Sequence, residues 1–288
     1  MIRSLTLALC LSAAACAPAE SAGPPVWRLE RGETTIYLFG SAHALTPDAE
    51  WRSRALDAAL ADAEQVLFEI APGAALSQET QDLFTALGRN PPGMTLSAQL
   101  TSEDAARLDQ IAERLNLSRD ALETLRPWAA AQQIALATAL AQGVRPELGV
   151  EAVLTQALDG RPAAGLETPE QQLQVLAALS PDRERRLLSL TLAQAETDPT
   201  EVLEAEAAWI RGDSEAIAAL TRTGFLGLDQ AFYDAMITER NRAFAAAAAE
   251  RLTGADEDVL IVIGAAHLSG PDGVIAMLRD QGYAVEGP

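Results

Sequence analysis

Val259-Leu260-Ile261-Val262-Ile263-Gly264-Ala265-Ala266-His267 is an unbroken apolar run that ends in glycine and, three residues later, histidine. Five apolar side chains without polar alternation describe a strand covered on both faces, the kind found in the parallel layer of an α/β protein. The same form recurs near the other end of the chain, where Thr34 to Phe39 reads as a strand and runs into Gly40-Ser41-Ala42-His43. The protein has two histidines in all, and each follows a glycine at this spacing directly after a strand. With 19 glycines in 288 residues, chance gives that offset about 0.07 of the time for one histidine and about 0.004 for both. The pairing is therefore read as a signal, glycine being the residue that lets backbone approach closely near a ligand.

Working outward, Val26 to Glu30 and Thr34 to Phe39 form a hairpin around Arg31-Gly32. Thr46-Pro47-Asp48 has the form of an N-cap with proline at N1, predicting a helix to about Ala63. Gln65 to Ile70 is a short β-rich run stopped by Pro72-Gly73. Helical periodicity holds from about Ala74 to Gln142, broken at Asn90-Pro91-Pro92-Gly93 and Arg126-Pro127. Gly149 to Leu158 is a short helix, Arg161 to Leu166 a strand, and Thr168 to about Arg251 helical, with Ala243 to Ala249 contributing helix propensity and little else. Gly270 to Asp280 is a further helix, and Tyr283 to Val285 closes the sheet. The expected fold is α/β (α+β): a small mixed central sheet from the N- and C-terminal regions, with a large, mostly helical insertion. Residues 26–288 form one domain, with the helical middle at about 74–145 and 168–252.

The bulk composition excludes several chemistries. Leu5 to Ala15 is apolar but too short to span a bilayer, and it follows Met-Ile-Arg, so residues 1–19 read as an export signal and 20–25 as a tether. Leu11 to Cys16 resembles a lipobox, which would lipidate Cys16; cleavage after Ala17-Pro18-Ala19 would instead release a soluble periplasmic protein. Both cysteines, Cys10 and Cys16, lie in this leader, so the mature chain has no thiol for a disulfide, a nucleophile or a metal. All 21 basic residues are arginines, which removes Schiff-base and phosphate-loop lysines. A net charge of −20 argues against nucleic acid as a partner.

Both histidines are expected at the rim where strand ends gather and ligands bind. Glu69 ends a third strand in apolar surroundings, where a carboxylate needs a partner, a hydrogen bond or a metal. Two imidazoles and a carboxylate suit a divalent ion (Mn, Co or Zn) with positions left open for water. Such an ion activates water for hydrolysis without a serine or cysteine nucleophile. In the alternative role, Glu69 is the general base. Trp128 and Trp209, in helical segments, are read as core.

At these residues the sequence resembles the TraB/GumN family, related to Tiki proteases and more distantly to haem-binding envelope lipoproteins. The resemblance spans nearly all of the mature chain. It is carried by Ile36 to His43, Trp51, Leu67-Phe68-Glu69, Arg126-Pro127-Trp128, Gly149-Val150-Glu151 and Leu166-Glu167-Thr168 with Gln171-Gln172-Leu173. Glu239-Arg240-Asn241, Gly264 to Gly270, Gly273-Val274 and Gly282-Tyr283 complete it. Glu151 departs from it, aspartate being expected there, which leaves its role open.

The resemblance implies a metal-dependent, peptidase-like hydrolase of the bacterial envelope, with His43, Glu69 and His267 at its centre and a peptide or protein as substrate. Arg240 is the next candidate, its fork of donors suited to a substrate carboxylate or to orienting Glu69, with an internal ion pair as the structural alternative. Asn241 is a further candidate to assist it. Glu167 is read as a helix-start residue. Two other functions stay open: a non-enzymatic metal- or haem-binding protein, and an accessory protein for polysaccharide production or peptide-signal control. Membrane attachment would come only through Cys16.

Overall fold

The computed structural model describes residues 23–254 and 257–288. The leader, Cys16 and the first part of the tether lie outside the described residues. Six strands form one mixed sheet: β1 (Val26–Arg31), β2 (Thr34–Ser41), β3 (Gln65–Ile70), β4 (Ala163–Glu167), β5 (Val259–Gly264) and β6 (Val285–Glu286). Their order across the sheet is β4-β3-β5-β2-β1-β6. The hairpin β1–β2 is antiparallel, as is β1–β6, while β2–β5, β5–β3 and β3–β4 are parallel. Strands from the N- and C-terminal regions thus share one mixed sheet, as expected from the sequence, and β5 lies between β3 and β2.

The helices fill the connections. α1 (Arg54–Asp62) joins β2 to β3. Then α2 (Gln78–Gly88), α3 (Ser102–Arg114), α4 (Arg119–Glu123), α5 (Pro127–Ala141) and α6 (Val150–Gln156) lie between β3 and β4. Between β4 and β5 run α7 (Pro169–Ala177), α8 (Pro181–Thr197), α9 (Glu201–Ile210), α10 (Ser214–Leu226) and α11 (Gln230–Tyr233). A π turn at Asp234–Thr238 leads into α12 (Glu239–Gly254), and α13 (Ala265–Leu268) and α14 (Val274–Asp280) follow β5. Among the described residues, no helix is long and apolar enough to cross a membrane.

All six residues of β5 are buried, and its side chains divide by parity. Ile261 and Ile263 pack with α12 and α14 on one face, while Leu260 and Val262 pack with α1, α6 and α9 on the other. This two-sided cover is why β5 reads as continuously apolar. The alanine run does more than favour a helix: Ala245 and Ala248 are fully buried, and their small side chains let α12 lie close to the sheet beside Phe244. The helical middle has two apolar clusters of its own, one around Leu108, Ile134 and Leu188 and one around Trp128 and Phe232.

One predicted helix start is corrected. Thr46-Pro47 opens no helix; α1 begins at Arg54, with Ser53 as its N-cap accepting from the Leu56 N–H. A tertiary partner has taken the capping group, because the Thr46 N–H and hydroxyl both donate to Glu206 of α9, at 2.7 and 2.6 Å. The last helix is also shorter than expected, starting at Val274 and not at Gly270.

Candidate active site

Parallel pairing of β2, β5 and β3 brings three carboxyl ends to one edge. Ser41 stands opposite Gly264 in the β2–β5 register, and Phe68 opposite Val262 in the β3–β5 register. The two Gly-x-x-His elements are therefore neighbours, with Glu69 just beyond. Gly264 marks the point of convergence. A Cβ there would stand 3.0 Å from Glu69 Oε1, 3.6 Å from His267 Cδ2 and 3.8 Å from His43 Nε2. Gly40 serves a different need, since a Cβ on it would come within 3.0 Å of the Ala265 backbone.

Glu69 is buried, at 7% exposure, and its charge is fully partnered. Oε1 accepts from the Gly264 N–H at 2.5 Å. Oε2 accepts from Arg240 Nη2 at 2.9 Å and from Gln172 Nε2 at 3.2 Å. Burial opposes ionisation, but the imidazoles of His267 and His43, the Arg240 guanidinium and the Gly264 N–H outweigh it, pulling the carboxyl down to about 2.

The protonation of His267 follows from its neighbour. Asn241, wholly buried, donates from Nδ2 to the Asp272 carbonyl at 2.6 Å. Its Oδ1 must then be the atom 2.6 Å from His267 Nδ1, so Nδ1 carries the proton and Nε2 keeps its lone pair. Nε2 stands 3.7 Å from Glu69 Oε1 and receives Arg240 Nη1 at 3.0 Å. Burial and the cationic neighbours outweigh the pull of Glu69 and push the imidazole down to about 4. Phe244, one turn after Arg240 on α12, meets the His267 ring edge to face at 5.2 Å.

His43 is the opposite case. Its ring opens onto a cavity, with 68% of the side-chain surface exposed, and Nδ1 lies 2.8 Å from Glu151 Oε1. That hydrogen bond and the charge of Glu151 raise the imidazole to about 9. The Ser41 hydroxyl donates to the same Glu151 oxygen at 2.6 Å. Glu151 reaches this place because α6 docks on the end of β2: the Val150 N–H donates to the Ala42 carbonyl at 3.0 Å. Gly149 permits the approach, since a Cβ there would fall 2.1 Å from the His43 carbonyl oxygen.

Arg240 uses every donor it has. Nε binds Glu167, Nη1 binds the Met236 carbonyl and His267, and Nη2 binds Glu69 and Glu167. It holds the site together, and a substrate carboxylate could reach it only by displacing one of these bonds. The Met236 carbonyl belongs to the π turn before α12, a feature often found at functional sites. Glu167 ends β4 and pairs with Arg240 at 2.8 Å. The following helix is started by Thr168 and Gln171 in a capping box, so the helix-start reading of Glu167 is corrected to an ion-pair role.

The sequence candidates His43, Glu69, His267 and Arg240 are thus brought together. Ser41 and Gln172 join them without a sequence signal of their own; Glu151, whose role the sequence leaves open, supports His43, and Asn241, read from sequence as a helper to Arg240, orients His267. Ser41, His43, Glu69, Gln172, Arg240 and His267 line a cavity of about 670 Å³ whose walls include Leu173, Leu176, Leu220, Phe225 and Met236. Trp209 also lines it, its indole N–H held by the Gly40 carbonyl at 2.8 Å.

The model of the TraB/PrgY/gumN family matches residues 25–287. The chain is similar to the uncharacterized protein YbaP of Escherichia coli (strain K12), at 25% identity over 251 residues, covering 86% of this chain and 89% of that protein. It is similar to the same degree to YbaP of Shigella flexneri. No solved structure matches.

Proposed function

The chain belongs to the TraB/PrgY/gumN family, and from that premise we propose that it is a metal-dependent, peptidase-like hydrolase of the bacterial cell envelope. One observation carries the reading: two imidazoles and a carboxylate surround the missing side chain of Gly264 at the floor of a cavity.

One pair of donors supports the reading by its spacing. Two donors 2.0–2.2 Å from one tetrahedral ion stand roughly 3.3–3.6 Å apart, and Glu69 Oε1 and His267 Nε2 are 3.7 Å apart. Asn241 already fixes the tautomer that presents Nε2, and Glu151 holds Nδ1 of His43 so that its Nε2 faces the same spot, the carboxylate-to-imidazole support common around metal-binding histidines. Among the described residues no group of three His, Cys, Asp or Glu side chains stands close enough together to hold a metal ion, so only the Glu69–His267 pair has a preset spacing, and His43 must move toward it. Binding at His267 Nε2 requires Arg240 Nη1 to give up its bond there.

A bound Mn, Co or Zn ion would polarise a carbonyl and lower the pKa of its water. The chain's own residues do the rest. Arg240 and Gln172 hold Glu69 in one orientation, and three donors with a depressed pKa make it a poor proton acceptor, which favours a ligand role over that of general base. The apolar cavity walls take the flanks of a peptide substrate, whose seating would displace water from the donors. Envelope location rests on the leader, and a lipid anchor on Cys16. Mass spectrometry of the mature N-terminus tests both, since an unmodified start at Glu20 ends the anchor reading.

The activity is tested by peptide cleavage with added manganese, cobalt or zinc, comparing wild type with His43→Ala and His267→Ala. Cleavage by the wild type alone is expected; identical behaviour of all three sinks the mechanism. Tight metal or haem without turnover identifies a binding protein instead. Normal complementation by the double histidine variant identifies an accessory role.

A further inference from the structure

Between α13 and α14 the chain makes a tight turn, closed by the Gly273 N–H donating to the Gly270 carbonyl at 3.1 Å. Asp272, the third residue of this turn, is bonded on two sides. Its backbone carbonyl accepts from Asn241 Nδ2 at 2.6 Å, the bond that turns Asn241 Oδ1 toward His267 Nδ1. Its carboxylate is clamped from the other side: Oδ2 accepts from Arg222 Nη1 of α10 at 2.9 Å and from the Tyr233 hydroxyl of α11 at 3.1 Å. The Arg222 guanidinium also lies over the Tyr233 ring, 5.2 Å from its centre, so the two clamping groups support each other.

The turn also fits closely onto α10. Gly270 has φ +79°, and a Cβ on it would stand 2.8 Å from Ala218 Cβ, so glycine both permits the turn and brings it onto the helix. Ala218 and Arg222 are one helical turn apart and share the side of α10 that meets it. Ile217, Leu220, Thr221 and Phe225 of the same helix line the site cavity. One helix therefore serves as a wall of the cavity and as an anchor for the residue that orients Asn241. Tyr233 is buried, which fixes its hydroxyl against the carboxylate.

We propose that Asp272 is a positioning residue for His267. The clamp of Arg222 and Tyr233 fixes Asp272, the Asp272 carbonyl fixes the amide of Asn241, and that amide holds the proton on His267 Nδ1 and leaves the lone pair on Nε2. Linked side chains of this kind act as a unit, so the imidazole is set in part by the seating of α10. The relay is complete in the chain's own residues; only its use in catalysis rests on the hydrolase reading.

The test is made on the full mature chain, ¹⁵N-labelled and kept in chelator at pH 7. There the ring-nitrogen NMR spectrum distinguishes the Nδ1–H form from the Nε2–H form, and His43→Gln assigns the two histidines. Wild type is expected to show His267 as Nδ1–H. Asp272→Ala, Arg222→Gln and Tyr233→Phe should each lower the ratio of Nδ1–H to Nε2–H, the first by roughly tenfold, on the scale of one hydrogen bond. Leu108→Ala, which hollows the separate cluster around Leu108, Ile134 and Leu188, controls for lost stability: its unfolding midpoint should fall while the ring spectrum stays. If Asp272→Ala does not fold, the other two variants decide. A wild-type His267 in the Nε2–H form, folded clamp variants with the wild-type ring spectrum, or a Leu108→Ala spectrum displaced as far as theirs overturns the proposal. Peptide cleavage is assayed separately, so a tautomer shift in a protein without peptidase activity defeats the hydrolase reading and leaves the positioning role standing.

Discussion

Gly264→Ala places one methyl group where the donors meet. Residue 264 has φ −50° and ψ 136°, which alanine adopts without strain, so the effect is local to the side chain. The new Cβ would stand 3.0 Å from Glu69 Oε1, a few tenths of an ångström too close. Overpacking of this kind costs about 2 kcal/mol, or roughly 4–8 °C in Tm for a chain of this size. The variant therefore folds, but its methyl occupies the point that His43, Glu69 and His267 share. The assays are thermal unfolding, metal content after dialysis against zinc, and peptide cleavage. Metal content should fall to background, and cleavage by more than about a hundredfold, or about 2.7 kcal/mol of transition-state stabilisation. A folded Gly264→Ala protein that binds metal and cleaves like wild type would refute the idea that these three side chains serve one centre.

Other outcomes follow from the same geometry. Gly149→Ala sets a Cβ 2.1 Å from the His43 carbonyl oxygen, a backbone clash, and should lower stability by more than about 4 kcal/mol; an unfolding midpoint near wild type would count against the docking of α6 on β2. Arg240→Ala strands Glu69 and Glu167 in the interior and should cost about 3–5 kcal/mol in urea unfolding, whereas a loss below about 1 kcal/mol would show that the web is dispensable. Asn241→Asp puts a carboxylate beside His267 Nδ1 and should convert the neutral imidazole to imidazolium at pH 7; an unchanged ¹⁵N ring spectrum would contradict the tautomer assignment. For His43 the folded pKa of about 9 lies above the ordinary 6.5, so its contribution is fully present below pH 6.5 and is lost as pH rises through about 9. In the presence of chelator, Glu151→Gln should flatten this decline in unfolding midpoint, and an identical profile for the two proteins would remove Glu151 as its cause.

Much of this site was legible because it lies on strand ends, where local pattern and topology coincide. An apolar run, a glycine and a histidine at fixed spacing placed His43 and His267, and a lone acid in an apolar run placed Glu69. What escaped comes from helices whose docking no local pattern encodes. Glu151 arrives through Gly149 and α6, Gln172 through α7, and Asn241 through α12 after a π turn that no residue type announces. Thr46-Pro47 failed as a helix start for the same reason, its capping group being held by Glu206, distant in sequence. Glu167 stands one residue before a true capping box, and what determines its role is the arrival of Arg240 from the far end of the insertion.

Elemental analysis of protein purified without a histidine tag, alongside His43→Ala and His267→Ala prepared identically, tests the central claim most directly. Stoichiometric divalent metal in the wild type, lost from both variants, is the predicted result. Wild-type protein that takes up no metal when offered manganese, cobalt or zinc, or variants that retain a full complement, would contradict it.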